Sequence, residues 1–256
     1  MAALTAAALK TALGRALLRL FSVQSSYNYE RLLGIGTGVA EEPLLRDLAV
    51  DGTEGGGRYR AAVARGAHFF NAHPYLTGLA VGAAARAEHD GVPADQIERL
   101  RAALCGPLGS LGDRLIWAGW LPLLSGLTVV AVALGAGWAA VAGFLVVYNA
   151  GHVALRWWAL RAGWEHGARV GLALHHPFFH RAGAVLGPAM AFAMGAALPL
   201  AAAYLGGAFE PWARGALAAT ATAALLALHW RAGRLTGLQL ALGLGAGACA
   251  LGWLWP

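Results

Sequence analysis

The sequence is short of charge: 12% of its 256 residues are Asp, Glu, Lys or Arg, about half the share in an average soluble domain. Residues 115–155 contain none. With 58% hydrophobic residues and a mean hydropathy of +0.55, this excludes an ordinary water-soluble domain and implies a membrane protein. Acid is scarce on one side in particular, since 11 of the 13 acidic residues lie at or before Asp113 and only Glu165 and Glu210 lie beyond it. Lysine occurs once, at Lys10, so the net charge of +6 rests on 18 arginines scattered among apolar runs. No basic stripe with interleaved aromatics is present, which excludes a nucleic-acid partner. Two cysteines, Cys105 and Cys249, make no disulfide framework and are read as free thiols.

Chemistry-bearing motifs are also missing. There is no G-x-S-x-G elbow, and GPLGSLGD lacks the Lys and Ser/Thr of a phosphate-binding loop. An autonomous enzyme therefore has no support, and no cofactor is implied. The glycines Gly34, Gly36 and Gly38 of GIGTG follow no strand pattern, which argues against a dinucleotide site. In HHPFFH, Pro177 breaks the register that would align His175, His176 and His180, and no Cys or carboxylate completes a closed metal site. The segment reads as a loop, with no metal.

What is present is helical periodicity interrupted at particular places. Lys10, Arg15 and Arg19 break the Ala/Leu run of residues 1–21, unlike the apolar core of a signal peptide. Leu9, Leu13, Ala16, Leu17 and Leu20 fall on one helical face, giving an amphipathic helix for the membrane interface, for a partner or for packing on its own domain. Residues 51–57, DGTEGGG, read as a polar loop. In AHFFNAHPYLT, residues 67–77, Pro74 removes a backbone donor and pushes His73 out of helical geometry. The apolar continuation 76–85 is too short to cross a bilayer. A broken or re-entrant helix fits, of the kind tolerated only inside protein or beside a cavity. Asp95 and Glu98 suggest a capping box for a helix over 96–104.

Residues 104–114, LCGPLGSLGDR, place Gly106, Gly109 and Gly112 at every third position with Pro107 among them. In a helix interior each Gly costs about 1 kcal/mol and Pro about 3, so a bend is expected, with Asp113 at the mouth of an apolar segment. Beyond it, 115–155 is long enough for two spans with a turn at Gly135–Gly137, and 182–209, 215–230 and 235–256 supply up to three more. Arg156, Arg161, Arg169 and Arg181 in one connection and Arg231 and Arg234 in another place both in the cytoplasm. Trp117, Trp120, Trp212, Trp230, Trp253 and Trp255 lie near expected span ends. His152, Glu165 and His166 allow a proton relay or ordinary interfacial hydrogen bonding. Asn71, His73, Glu88 and Asp113 form a dispersed polar set around broken backbone. Amide, imidazole and carboxylate beside aromatics suit a neutral polyol such as a sugar, while Asn71 and Asp113 could equally cap broken helices.

The order SYNYERLLGIG, HFFNAHPYLTGLAVGAAARAE, IERLRAALCGPLGSLGDRLIW and YNAGHVALRWWALRAGWEHG resembles the IID membrane subunit of the mannose/fructose/sorbose family of the bacterial phosphoenolpyruvate-dependent sugar phosphotransferase system. Asn71, His73 and Asp113 match the FFN-x-HP and GPL-x-x-x-GD motifs; Ala72 stands where Thr is common, and Arg114 where an uncharged residue is usual. The resemblance implies a multi-pass subunit of the bacterial inner membrane, in contact with lipid. It implies a hetero-oligomer with a IIC subunit, which together form the pathway for a hexose. The IIA and IIB phosphoryl carriers phosphorylate the sugar, so this chain is a non-catalytic subunit with no phosphorylated residue. A non-transporting scaffold or sensor that binds these carriers is the alternative. The expected fold is all-α: an N-terminal amphipathic/re-entrant region over 1–114, and a polytopic membrane region over 115–256 with about four to five spans.

Overall fold

The computed structural model describes residues 5–49 and 56–206. The expected spans at 215–230 and 235–256, Glu210, Arg214, Arg231, Arg234, Cys249 and most of the DGTEGGG loop lie outside the described residues. Among the described residues, regular structure is helical: α1 (Ala6–Leu20), α2 (Gly34–Leu45), α3 (Gly57–Gly66), α4 (Thr77–His89), α5 (Ala94–Gly112), α6 (Leu121–Ala131), α7 (Gly137–His166), the one-turn α8 (Gly171–Leu174) and α9 (Pro177–Gly206).

Helix α1 starts where the Thr5 hydroxyl accepts from the Ala8 amide at 3.3 Å, as an N-cap should. Its apolar face packs on its own domain: Ala12, Leu13, Ala16 and Leu20 are buried in a cluster with Leu44, Val81 and Leu160. Arg19, on the polar face, reaches α2 and donates to Glu42 at 2.6 Å. The GIGTG glycines serve close packing. A Cβ at Gly34 would stand 2.1 Å from the His68 carbonyl oxygen, and one at Gly36 2.0 Å from that of Val23.

Helix α4 is the buried centre, with every residue from Thr77 to Ala85 inside. It touches α7 backbone to backbone. A Cβ at Gly82 would lie 2.3 Å from the Leu160 carbonyl oxygen, and one at Gly163 2.3 Å from that of Leu79. Small residues four apart on one helix permit such an approach. Across the other side, Arg101 of α5 is buried and donates to Glu41 at 3.0 Å, Thr37 Oγ1 at 3.0 Å and the Gly66 carbonyl at 2.7 Å. One guanidinium thus joins α5 to α2 and to the end of α3. Pairing with Glu41 makes this buried charge tolerable, although the Arg101 Nε is buried without a partner.

Two sequence expectations at α5 need correction. No capping box forms, because the helix begins one residue after Pro93 and Asp95 pairs instead with Arg99 at 2.6 Å. Nor is there a bend at 104–114. Helix α5 runs through Gly112 and continues as a π-helical stretch, Asp113–Trp120, into α6. Propensity lost to packing: Leu104, Leu108, Leu115 and Ile116 are buried, Pro107 faces outward, and Gly112 lets His73 approach.

The true reversal comes at Gly135–Gly137, where φ is +94° at Gly135 and +52° at Gly137, values that favour glycine. The hairpin closes so that Trp120 faces Gly151 of α7, 3.3 Å from where a Cβ would sit. The HHPFFH loop shrinks to His175 and His176, since Pro177 opens α9, a favoured first-turn position for proline. Among the described residues, two helical stretches are long and apolar enough to cross a membrane, Ala94–Arg169, which contains the hairpin, and Arg181–Leu198.

The α4 to α7 contact leaves no room for a side chain, so Gly82→Val should lower stability by about 2 kcal/mol or more, as overpacking against backbone does. Gly143, with nothing within 4 Å of a built Cβ, should accept Ala without loss. Thermal unfolding of the detergent-solubilised variants measures both.

Candidate functional site

Between α3 and α4 the chain leaves helical geometry. Phe70 is fixed first: its amide donates to the Arg31 carbonyl at 3.2 Å and its carbonyl accepts from the Leu33 amide at 2.9 Å. Asn28 shapes that partner loop, its side-chain oxygen accepting from the amides of Glu30 and Arg31 at 3.1 and 2.9 Å. The break then turns at His73 and Pro74. The His73 carbonyl accepts from the amides of Leu76 and Thr77 at 3.0 and 3.1 Å and from the Thr77 hydroxyl at 3.1 Å. Arg156 of α7 donates to the Pro74 carbonyl at 3.2 Å and to the Leu20 carbonyl. Its guanidinium lies 4.7 Å above the Tyr75 ring and 5.3 Å above that of Phe21.

Helix α5 lies against this break. A Cβ at Gly112 would fall 2.2 Å from that of His73, so only glycine lets the helix and the break meet. Beside the contact opens a cleft of about 480 Å³ lined by Asn71, His73, Cys105, Gly109, Ser110 and Asp113 among others. Cys105, Gly109 and Asp113 are spaced by four and share a helical face. The Cys105 sulfur accepts from the Asn71 amide at 3.5 Å, which ties the two walls together.

His73 is 2% exposed. Burial pushes its imidazole down from 6.5 to about 4, against the opposing charge of Asp113, so the ring is neutral. Nδ1 accepts from the Tyr75 amide at 3.2 Å, which places the proton on Nε2. That Nε2 is buried without a hydrogen-bond partner. An unpaired buried donor costs about 1–3 kcal/mol, and His73 is one of the residues that line the cleft. Asp113 and Arg114 are both exposed, and among the described residues no ion pair joins them. The Asp113 carboxylate is thus open to the cleft.

Of the four sequence-expected residues, Asn71, His73 and Asp113 come together and Glu88 does not. Eleven residues of α4 beyond Thr77, Glu88 stands about 17 Å along the helix. It is buried there against Arg65 at 2.7 Å, and its carbonyl accepts from Arg58. The relay candidates also separate: Glu165 pairs with Arg161 at 2.8 Å, His166 bonds the Ala162 carbonyl, and His152 packs 4.9 Å from Tyr75. Cys105 and Ser110 were missed as lining residues. Their spacing with Asp113 would have shown them had the segment been read as helix.

His73 carries a pH signature. Its folded value lies below its free value, so as pH falls from 6.5 towards 4 the unfolded chain takes up the proton first and stability is lost. Glu41, raised by burial from 4.5 to about 7 against the pull of Arg101, works in the opposite direction. The melting temperature of wild type relative to His73→Gln should therefore fall across pH 6.5 to 4. A constant difference would mean that His73 does not titrate in this way.

A profile of the PTS system mannose/fructose/sorbose family IID component matches residues 8–198. The sorbose-specific EIID component of Lacticaseibacillus casei is 30% identical over 149 residues, covering 56% of this chain and 51% of that protein. The mannose-specific EIID component of Escherichia coli (strain K12) is 27% identical over 156 residues, 56% of this chain and 51% of that protein. The chain spans about half the length of the curated relatives it matches. Among solved structures, the fold is similar to a chain in the cryo-EM structure of the mannose transporter ManYZ with microcin E492, with a TM-score of 0.54 at 21% identity over 73% of this chain and 69% of that one. A second membrane-protein structure has a TM-score of 0.65 at 22% identity, over 76% and 70%. With three quarters of its length matched by the profile, the chain belongs to the PTS system mannose/fructose/sorbose family of IID components.

Proposed function

We propose that this chain is the membrane subunit of a sugar phosphotransferase permease, and that with a IIC subunit it forms the path by which a hexose crosses the bacterial inner membrane. IIA and IIB carriers phosphorylate the sugar as it enters, so no phosphorylated residue is assigned to this chain. The observation that carries the reading is the cleft: one open carboxylate at Asp113, the Asn71 amide and the neutral His73, whose buried Nε2 lacks a partner, around about 480 Å³, a volume in the range of small-molecule sites. Donor, acceptor and amide suit the hydroxyls of a neutral polyol.

Membrane placement rests on the family and on the two apolar helical stretches. We assign multi-pass topology with the Arg161 and Arg169 connection in the cytoplasm. Four to five spans in all follow if the stretches 215–230 and 235–256 also cross.

The test is co-expression with a IIC partner and the IIA and IIB carriers, measuring uptake of mannose, fructose and sorbose. Asn71→Ala and Asp113→Asn should each reduce uptake about tenfold or more, the loss expected when a charged or buried hydrogen bond is removed. Unchanged uptake in both variants would remove the cleft from the pathway. Binding of IIB with no uptake by wild type would establish a scaffold or sensor instead.

A further inference from the structure

Trp117 follows Asp113 by four residues within the π-helical stretch Asp113–Trp120, a form of helix frequent at functional sites. It is 44% exposed. Its ring lies 5.1 Å from that of His73 and 6.0 Å from that of Tyr75, and both of these are buried. Tyr75 is itself held by a 2.7 Å hydrogen bond to the Tyr148 hydroxyl, by the His152 ring at 4.9 Å and by Arg156 above its face. The indole therefore packs on two held rings, just outside the residues that line the cleft and one turn beyond Asp113, which is among them.

A pyranose has two kinds of surface. Its rim carries hydroxyls, and its faces carry C–H bonds that pack on aromatic rings. Among the residues that line the cleft, Asn71, His73 and Asp113 suit the rim, and the one exposed ring, Phe69, packs on no other ring among the described residues. A face needs a flat apolar partner that is rigid before the sugar arrives, since ordering a side chain on binding costs affinity. We propose that Trp117 is that partner, a stacking platform that makes the site select a cyclic hexose over an open-chain polyol bearing the same hydroxyls. The inference rests on the sugar-binding reading of the cleft and adds a substrate-determining residue to it. Asp113 accepts from hydroxyls at the rim while Trp117 covers the C–H face. An open-chain hexitol satisfies the first contact but presents no ring face to the second.

The experiment uses the full chain purified in complex with its IIC partner, and measures equilibrium binding of radiolabelled mannose, fructose and sorbose. For the sugar that wild type binds, competition is measured with the hexitol of the same carbon skeleton. Trp117→Leu should weaken binding of the cyclic sugar about tenfold, the scale of a lost aromatic contact, and bring sugar and hexitol close together. Trp117→Phe should restore most of the affinity and the preference. Asp113→Asn should weaken both ligands alike. As a second measurement, the fluorine NMR resonance of fluorotryptophan at position 117, assigned by its loss in Trp117→Phe, should shift on sugar addition even if the Leu variant fails to fold. If Asp113→Asn loses binding while Trp117→Leu keeps both affinity and preference, Trp117 is only an interfacial aromatic and this inference falls alone. If wild type binds none of the sugars, the sugar reading falls with it.

Discussion

Close approach of backbone to backbone is the constraint on which this protein depends. Helix α4 can be buried from Thr77 to Ala85 because Gly82 meets the Leu160 carbonyl and Gly163 meets that of Leu79 with no side chain between them. The same device sets α2 against the loop before it at Gly36, and α5 against the broken segment at Gly112. Each contact would be closed by a single methyl group. In a chain so short of charge, where apolar side chains gain little by leaving lipid, packing of small residues supplies the specificity that hydrophobic burial supplies in water.

From that packing follows the electrostatic design of the cleft. The Gly112 contact presses His73 into the protein, and burial keeps its imidazole neutral. Neutrality lets Nδ1 accept from the Tyr75 amide, which in turn leaves Nε2 as a donor. The cost of an unpaired donor is maintained because the surroundings fix it: Arg156 holds Pro74 from behind, and Cys105 holds Asn71 from the side. Preorganised groups of this kind bind without first giving up hydration or freedom. The other buried charges, Arg101 with Glu41 and Arg65 with Glu88, are paired and belong to the scaffold.

The readable parts of the sequence were those with a local cause. Pro74 broke the helix where its missing amide and steric effect on His73 said it would, and Gly135 and Gly137 turned the apolar hairpin through positive φ. Asn71, His73 and Asp113 were legible as polar groups beside such irregularities. What misled was reading glycine by propensity alone. Gly112 sits inside a helix because a neighbouring segment needs the space, a tertiary reason that no local pattern carries. The same error hid Cys105 and Ser110, which lie on the helical face that ends in Asp113. Glu88 was misplaced for a related cause: its partner Arg65 is 23 residues away in sequence, and nothing local distinguishes a buried ion pair from a ligand-binding acid.

Cys105 offers the most direct measurement of whether the cleft holds sugar, because its thiol lines the cleft beside Asn71 without being assigned a part in binding. In the complex with a IIC partner, carrying Cys249→Ser to remove the second thiol, the rate of Cys105 alkylation by a maleimide is followed with and without the transported sugar. The account predicts that saturating sugar slows alkylation several-fold, that Asp113→Asn abolishes the protection, and that the corresponding sugar phosphate protects less. Alkylation at the same rate with and without a sugar that the complex demonstrably transports would contradict it.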